Sequence, residues 1–273
     1  MTGLSWDPQP LVVAAAAAGS LLFARGFVRL RRRGRRDLAG TGRALLFAAG
    51  LALVVLPLIS PLDDAGDRYL LSAHMLEHVL VGDAGPALLV LALRGPLLAF
   101  TVPASLIRAA TRRPWLRAIL RLVRRPAVAA AIWGAAVGAW HVPAAYDAAL
   151  TRPWLHALEH ASYFGAGLLV WVVLIDPART GRVSMGVRAA LAGTVFMLGQ
   201  LLCGVLFLSP SPLYPAYAGG GPRLFGLAPL PDQQYAGLTM MGEQLLTLGT
   251  FVALLGLSAL RAFTPPRAGS PAS

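Results

Sequence analysis

Apolar runs near residues 11–30, 43–61, 69–93, 127–141, 153–175, 187–208 and 234–260 restrict this chain more than any other feature. A helix crosses the hydrocarbon core of a bilayer in about 20 residues, and backbone polar groups at that depth find no water to bond. Runs of this length satisfy their own backbone as helices. The expected fold is therefore an all-α integral membrane protein with seven transmembrane helices. Composition agrees, since 56% of the 273 residues are hydrophobic and only 13% are charged. A soluble chain carries about a quarter charged residues. One membrane domain over 1–262 and a short cytoplasmic tail at 263–273 are expected. The stretch 95–110 is broken by Pro96 and Pro103 and reads as interfacial or re-entrant. The 127–141 run is short as well, and is expected to borrow residues after Pro143.

Arginine sets the expected orientation. All 24 basic residues are arginine, giving a net charge of +12. Twenty-one of the 24 fall in the connections 25–43, 94–125 and 179–188 and in the tail at Arg261 and Arg267. Only Arg68, Arg152 and Arg223 fall on the other side, beside Asp63, Asp64, Asp67, Asp147 and Asp232. The positive-inside rule then puts the N-terminus outside and the C-terminus in the cytoplasm, which requires an odd number of spans. These arginine blocks orient the protein and bind anionic membrane lipids. Nucleic acid is excluded as a partner, because no aromatic residues are interleaved to form a stacking platform. A chain rich in alanine and arginine without lysine points to a high-GC genome. The expected location is a bacterial plasma membrane. The N-terminal MTGLSWDPQP lacks a basic leader region, so no cleaved signal is expected. A single cysteine, Cys203, excludes an internal disulfide and a Cys-x-x-Cys metal clamp.

Within this topology the spelling His-x-x-Glu-His occurs twice, as HMLEH at 74–78 and HALEH at 156–160. Both fall where a span enters the membrane from outside, and span four rises to end at His141. All five histidines, His74, His78, His141, His156 and His160, then lie within the outermost ~15 Å of the bilayer, at 1.5 Å per helical residue. Residues i and i+4 share one helix face, so each pair can aim both imidazoles at one spot. Two such helices make a four-nitrogen cluster, with His141 as a fifth ligand or a support. Glu77 and Glu159 can hold an imidazole N–H, ligate directly or move a proton. A lone membrane histidine is commonly a helix–helix contact. Five at one depth in paired spacing favour a metal or haem site. Met75, Cys203, Met240 and Met241 are softer candidates near the same depth. Sulfur with imidazole suits copper, whereas imidazole with carboxylate suits zinc or iron.

The proline- and glycine-rich loop 209–232 reads as an ordered lid. Tyr214 and Tyr217 in it read as aromatic-belt anchors. Span seven opens on Asp232-Gln233-Gln234 and carries Glu243 deeper. Asp83, within GDAGP, marks either a kink beside Pro86 on a proton path or a structural contact. The structural role is favoured, since nothing in the sequence pairs with it.

At these positions the sequence resembles the seven-span CtaG family of cytochrome c oxidase assembly factors. The matching pieces are HMLEH (74–78), WHVPAAYDAALTRPWLHALEH (140–160), PLYPAY (212–217) and DQQYAGLTM (232–240). The resemblance implies a membrane protein that builds or metallates a haem–copper oxidase, with copper as the favoured ion and no catalysis of its own. Oxidase subunits or a copper donor are the implied partners. It carries over His74, His78, Trp140, His141, Pro143, Tyr146, Asp147, His156, Glu159, His160, Asp232, Gln233 and Met240 as motif positions. Two departures stand out: Asp83 replaces an expected apolar residue, and Met241-Gly242-Glu243-Gln244 follows Met240 where tryptophan is more usual. Two other readings compete. His-x-x-Glu-His is also a zinc-hydrolase spelling in which glutamate activates water, and histidines from two helices can hold haem.

Overall fold

The computed structural model describes residues 4–219 and 223–263, and every regular element among them is helical. Helices α1 (Pro10–Arg32) and α2 (Thr41–Ile59) are followed by a short polar helix, α3 (Pro61–Arg68). Then come α4 (Leu71–Ala92), α5 (Pro96–Thr101), α6 (Ala104–Arg112) and α7 (Pro114–Val123). Helices α8 (Pro126–Trp140) and α9 (Pro143–Thr151) lead into α10 (Pro153–Ile175) and α11 (Met185–Leu208). After a one-turn α12 (Pro215–Ala218), the long α13 (Pro229–Arg261) closes the bundle. Six of these, α1, α2, α4, α10, α11 and α13, are long and apolar enough to cross a membrane. The chain is a multi-pass membrane protein. The anticipated tail beyond Phe263 and the loop residues 220–222 lie outside the described residues.

The short run at 127–141 does not continue past Pro143 along one axis. Helix α9 leaves α8 at 74°, because Pro143 has no N–H and disfavours helical backbone at the residue before it. The stretch 95–110 yields α5 and most of α6 rather than a span. Helix α5 buries Leu97 against Phe23 and Leu30 of α1, whereas α6 and α7 bury nothing and carry Arg108, Arg112, Arg117 and Arg121 on a surface face. Helix α13 starts a turn earlier than the apolar run does, since Pro229 and Pro231 sit in the first turn, where a missing N–H is harmless. Helix α3 was not anticipated at all. Its signal is local: Ser60 caps it by accepting from the Leu62 N–H (3.3 Å), Pro61 takes the first position, and Asp63 and Asp64 fill the first turn.

Helices α4 and α10 run parallel and meet along a steady register, His74 by His156, His78 by His160, and Gly82 by Tyr163 and Gly167. A Cβ at Gly167 would overlap the Gly82 carbonyl, so only glycine permits this backbone approach. The crossing lies one to two turns beyond His78 and His160 and holds their rings 5.2 Å apart.

Both α4 and α13 contain a wider π-turn, at Leu80–Ala84 and Leu245–Gly249. Asp83 lies in the first. It accepts from the Trp171 indole N–H of α10 and from the Thr247 hydroxyl of α13 (2.9 Å). The residue without a visible partner in sequence thus ties three helices together, through partners 88 and 164 positions away.

Candidate metal centre

The histidine end of the bundle is assembled from four elements. Helix α4 supplies His74, Glu77 and His78, and α10 supplies His156, Glu159 and His160. Helix α3 lies over them, so close that a Cβ at Gly66 would stand 2.9 Å from the His74 Cα. The loop after α11 adds Tyr214 and Tyr217. Neither tyrosine anchors a lipid interface; both are buried. The Tyr217 hydroxyl donates to the Gly66 carbonyl (2.7 Å) and meets the Tyr146 hydroxyl (3.0 Å), and the Tyr214 hydroxyl donates to the His141 carbonyl (3.2 Å). Each ring finds an acceptor beneath it, and burial follows.

The entry of α4 is fixed from across the bundle. Leu70, at its start, offers no capping side chain. Asp232 at the start of α13 supplies one instead, accepting from Leu71 N (2.7 Å), Ser72 N (3.1 Å) and the Ser72 hydroxyl (2.5 Å). A carboxylate there also complements the positive end of the helix dipole. Gln233 fastens the lid loop, accepting from Leu213 N (2.6 Å) and donating to the Leu206 carbonyl (3.0 Å). On α10, the Trp140 indole donates to Ser162 (2.7 Å), which donates to the Glu159 carbonyl (2.8 Å). We expect Asp232→Ala to lower stability by about 1–3 kcal/mol, the range for losing a buried charged hydrogen-bond acceptor at a helix start. Thermal unfolding in detergent reads this; an unchanged midpoint would remove the trans-capping role.

The two motifs meet reciprocally. Glu77 Oε1 of the first lies 3.1 Å from His160 Nε2 of the second, and Glu159 Oε1 of the second lies 3.7 Å from His78 Nε2 of the first. Asp67 of α3 stands between the two leading histidines, 3.3 Å from His74 Nδ1 and 3.4 Å from His156 Nε2. Nitrogens of His74, His156 and His160 lie within 4.8 Å of one another, as do donor atoms of His74, His78 and Glu159. His74 belongs to both groups. All four rings are buried or nearly so, and so are the carboxylates of Glu77 and Glu159.

Despite these short separations, none of the histidine–carboxylate contacts has hydrogen-bond geometry, whereas the Glu77 side chain also meets that of Asp63 on α3. Both nitrogens of His74 and of His78, Nε2 of His156 and of His160, both oxygens of Glu77 and Oε1 of Glu159 are buried without a partner. Each such group costs about 1–3 kcal/mol or more. So many together, with lone pairs directed toward a common centre, form a set of donors that could hold a cation. Outside the spans, burial and then the neighbouring Asp67 carboxylate push Asp63 up to about 7.

The remaining anticipated residues occupy other places. His141 lies outside these donor groups: its Nδ1 contacts the Val137 carbonyl (2.8 Å) and the Tyr163 hydroxyl (3.2 Å). Its Nε2 is left without a partner and lines, with His78, Asp83 and Glu243, a cavity of about 50 Å³. Tyr146 packs on His74 with centroids 5.2 Å apart. Asp147 joins no donor group, and its Oδ1 is buried without a partner. Cys203, Met75 and Met240 pack together as apolar core, and Cys203 joins no donor group either. Asp63, Asp67 and Tyr163 were not anticipated. The acidic face of α3, set just before HMLEH, was the available signal.

These observations define a multi-pass helical membrane protein with a buried imidazole–carboxylate cluster at one end. The model of the cytochrome c oxidase caa3 assembly factors (Caa3_CtaG) matches residues 21–262, and the chain belongs to that family. No curated protein and no solved structure matches it.

Proposed function

We propose that this assembly factor binds one copper ion through His74, His78, His156 and His160 and passes it to a haem–copper oxidase during maturation. The reciprocal meeting of the two motifs carries this reading. It explains why the spelling occurs twice: each glutamate stands beside the second histidine of the other helix, so neither copy is complete alone. Carboxylates behind imidazoles fix ring orientation and raise ligand basicity. Among divalent first-row ions, Cu²⁺ binds such donors most tightly, and the family role in oxidase assembly favours copper over zinc. The sulfur atoms of Cys203 and Met240 have no part in it.

In this reading the chain crosses the bacterial plasma membrane seven times, α8 with its bent continuation α9 making the seventh crossing. The N-terminus is outside, the C-terminus cytoplasmic, and the arginine-rich end, including α6 and α7, rests on anionic lipid. The cluster then lies beneath the outer face. The partners are oxidase subunits or a copper donor, and the protein catalyses nothing. A zinc hydrolase needs one such motif with an open coordination position, whereas here two are consumed in one cluster. Haem fits poorly: the rings that face each other across the two helices, His74 with His156 and His78 with His160, lie only 5.4 and 5.2 Å apart, too close for a macrocycle between them.

The test is metal analysis of protein loaded with copper, with and without Glu77→Gln. The expected result is one copper per chain, bound about 10–100-fold more weakly in the variant, the usual loss when a group behind a ligand is removed. Unchanged copper affinity beside lost hydrolytic turnover would select the hydrolase. A Soret band would select haem.

A further inference from the structure

The histidine cluster does not end at its own ligands. Helix α3 adds a third set of donors, Asp63, Asp67 and His156, whose donor atoms also lie within 4.8 Å of one another. His156 is common to this set and to the inner His74–His156–His160 set. Asp63 is about nine-tenths buried, and its Oδ1 has no hydrogen-bond partner; neither has Asp67 Oδ1 nor His156 Nε2. Asp63 also approaches Glu77 side chain to side chain, so acidic oxygens and an imidazole gather here in one small space, an arrangement that a cation between them would stabilise.

Accessibility falls steadily along this line. The Asp67 side chain is 29% exposed and that of His156 13%, whereas His74 is wholly buried. The other acid of α3 is committed elsewhere: Asp64 pairs with Arg68 (2.7 Å) and accepts from Ser5 N (3.2 Å), holding the helix in place. Asp63 and Asp67 are left to face inward. Two carboxylates and an imidazole are hard to borderline donors that suit a divalent ion still carrying water. A cleft lined by charge of one sign raises the local concentration of counter-ions.

We infer that Asp63, Asp67 and His156 form an outer cation site through which a divalent metal ion passes between water and the histidine cluster. Asp67 is the ligand that hands it over, being within 3.4 Å of both leading histidines. His156 belongs to both sites, so the ion moves inward without being released to a vacant space. This inference rests on the metal-binding reading above.

The test uses full-length protein purified in detergent and Cu²⁺ as the probe. Loading is followed by stopped flow, extraction by adding EDTA, and saturation by metal analysis. Asp67→Asn and Asp63→Asn are each expected to slow both loading and extraction by about tenfold or more, the lower end of electrostatic steering effects. The number of ions bound at saturation stays as in the unsubstituted protein. Asp67→Glu restores exchange. Unchanged exchange rates in both asparagine variants would overturn the inference while leaving the histidine site intact. Loss of the bound ion at saturation in Asp67→Asn would make Asp67 a permanent ligand and overturn it likewise. Failure of the unsubstituted protein to take up Cu²⁺ is the separate outcome that defeats the metal-binding reading itself.

Discussion

Protein carrying His74→Ala and His160→Ala together is expected to purify folded and to hold no stoichiometric copper. His74 belongs to both inner donor groups and His160 to one, so the double substitution leaves neither group complete. Removing a group that merely backs a ligand weakens metal binding 10–100-fold; removing two ligands should exceed the upper end of that range. The same variant should fail to restore oxidase activity in cells lacking this protein. Folding is spared for a physical reason. The substitutions delete buried polar atoms that have no hydrogen-bond partner, so they remove a desolvation penalty along with a contact. Full copper occupancy in this variant would refute the site. Full rescue of the oxidase by a metal-free protein would refute the delivery role while leaving the fold untouched.

Gly167→Leu should have the other large effect, and it acts on the bundle rather than on the ligands. The added side chain begins where the Gly82 carbonyl already stands, so α4 and α10 must separate or rotate. Overpacking a tight contact typically costs about 1–3 kcal/mol and occasionally more. Here backbone rather than a flexible side chain must yield, which puts the effect at the upper end. The expected result is a fall in folded yield in detergent and, in the fraction that folds, loss of copper binding, because His78 and His160 no longer meet. The discriminating comparison is Gly165→Leu, whose Cβ direction meets nothing within 4 Å. That variant should behave as the unsubstituted protein. Equal behaviour of the two would mean that the close crossing does not hold the cluster together.

Much of this arrangement was legible residue by residue. The i, i+4 spacing within HMLEH and HALEH placed each pair on one helix face, and the arginine distribution put all five histidines at one end. The structure places four of them together and sets His141 beside them, with Nδ1 turned to its own helix at Val137. No spacing rule reveals that, because the choice follows from Tyr163 approaching from α10. Helix α3 escaped notice for a different reason. Its eight residues are too few and too polar to register as a periodic apolar pattern, and its place is set by the close approach of Gly66 to His74. Asp83 has the structural role favoured for it, but through partners that no local pattern reveals: Trp171 and Thr247 reach it only in space.

The sequence by itself determined the material. Long apolar runs must become helices in lipid because no water bonds their backbone, and that can be read without coordinates. Only the tertiary structure decided which donors converge. That depends on a crossing permitted by two glycines, on an aspartate capping a helix 160 residues away and on α3 being held over the cluster by Tyr217 and Ser5, all contacts whose free energy exists only once distant segments have met.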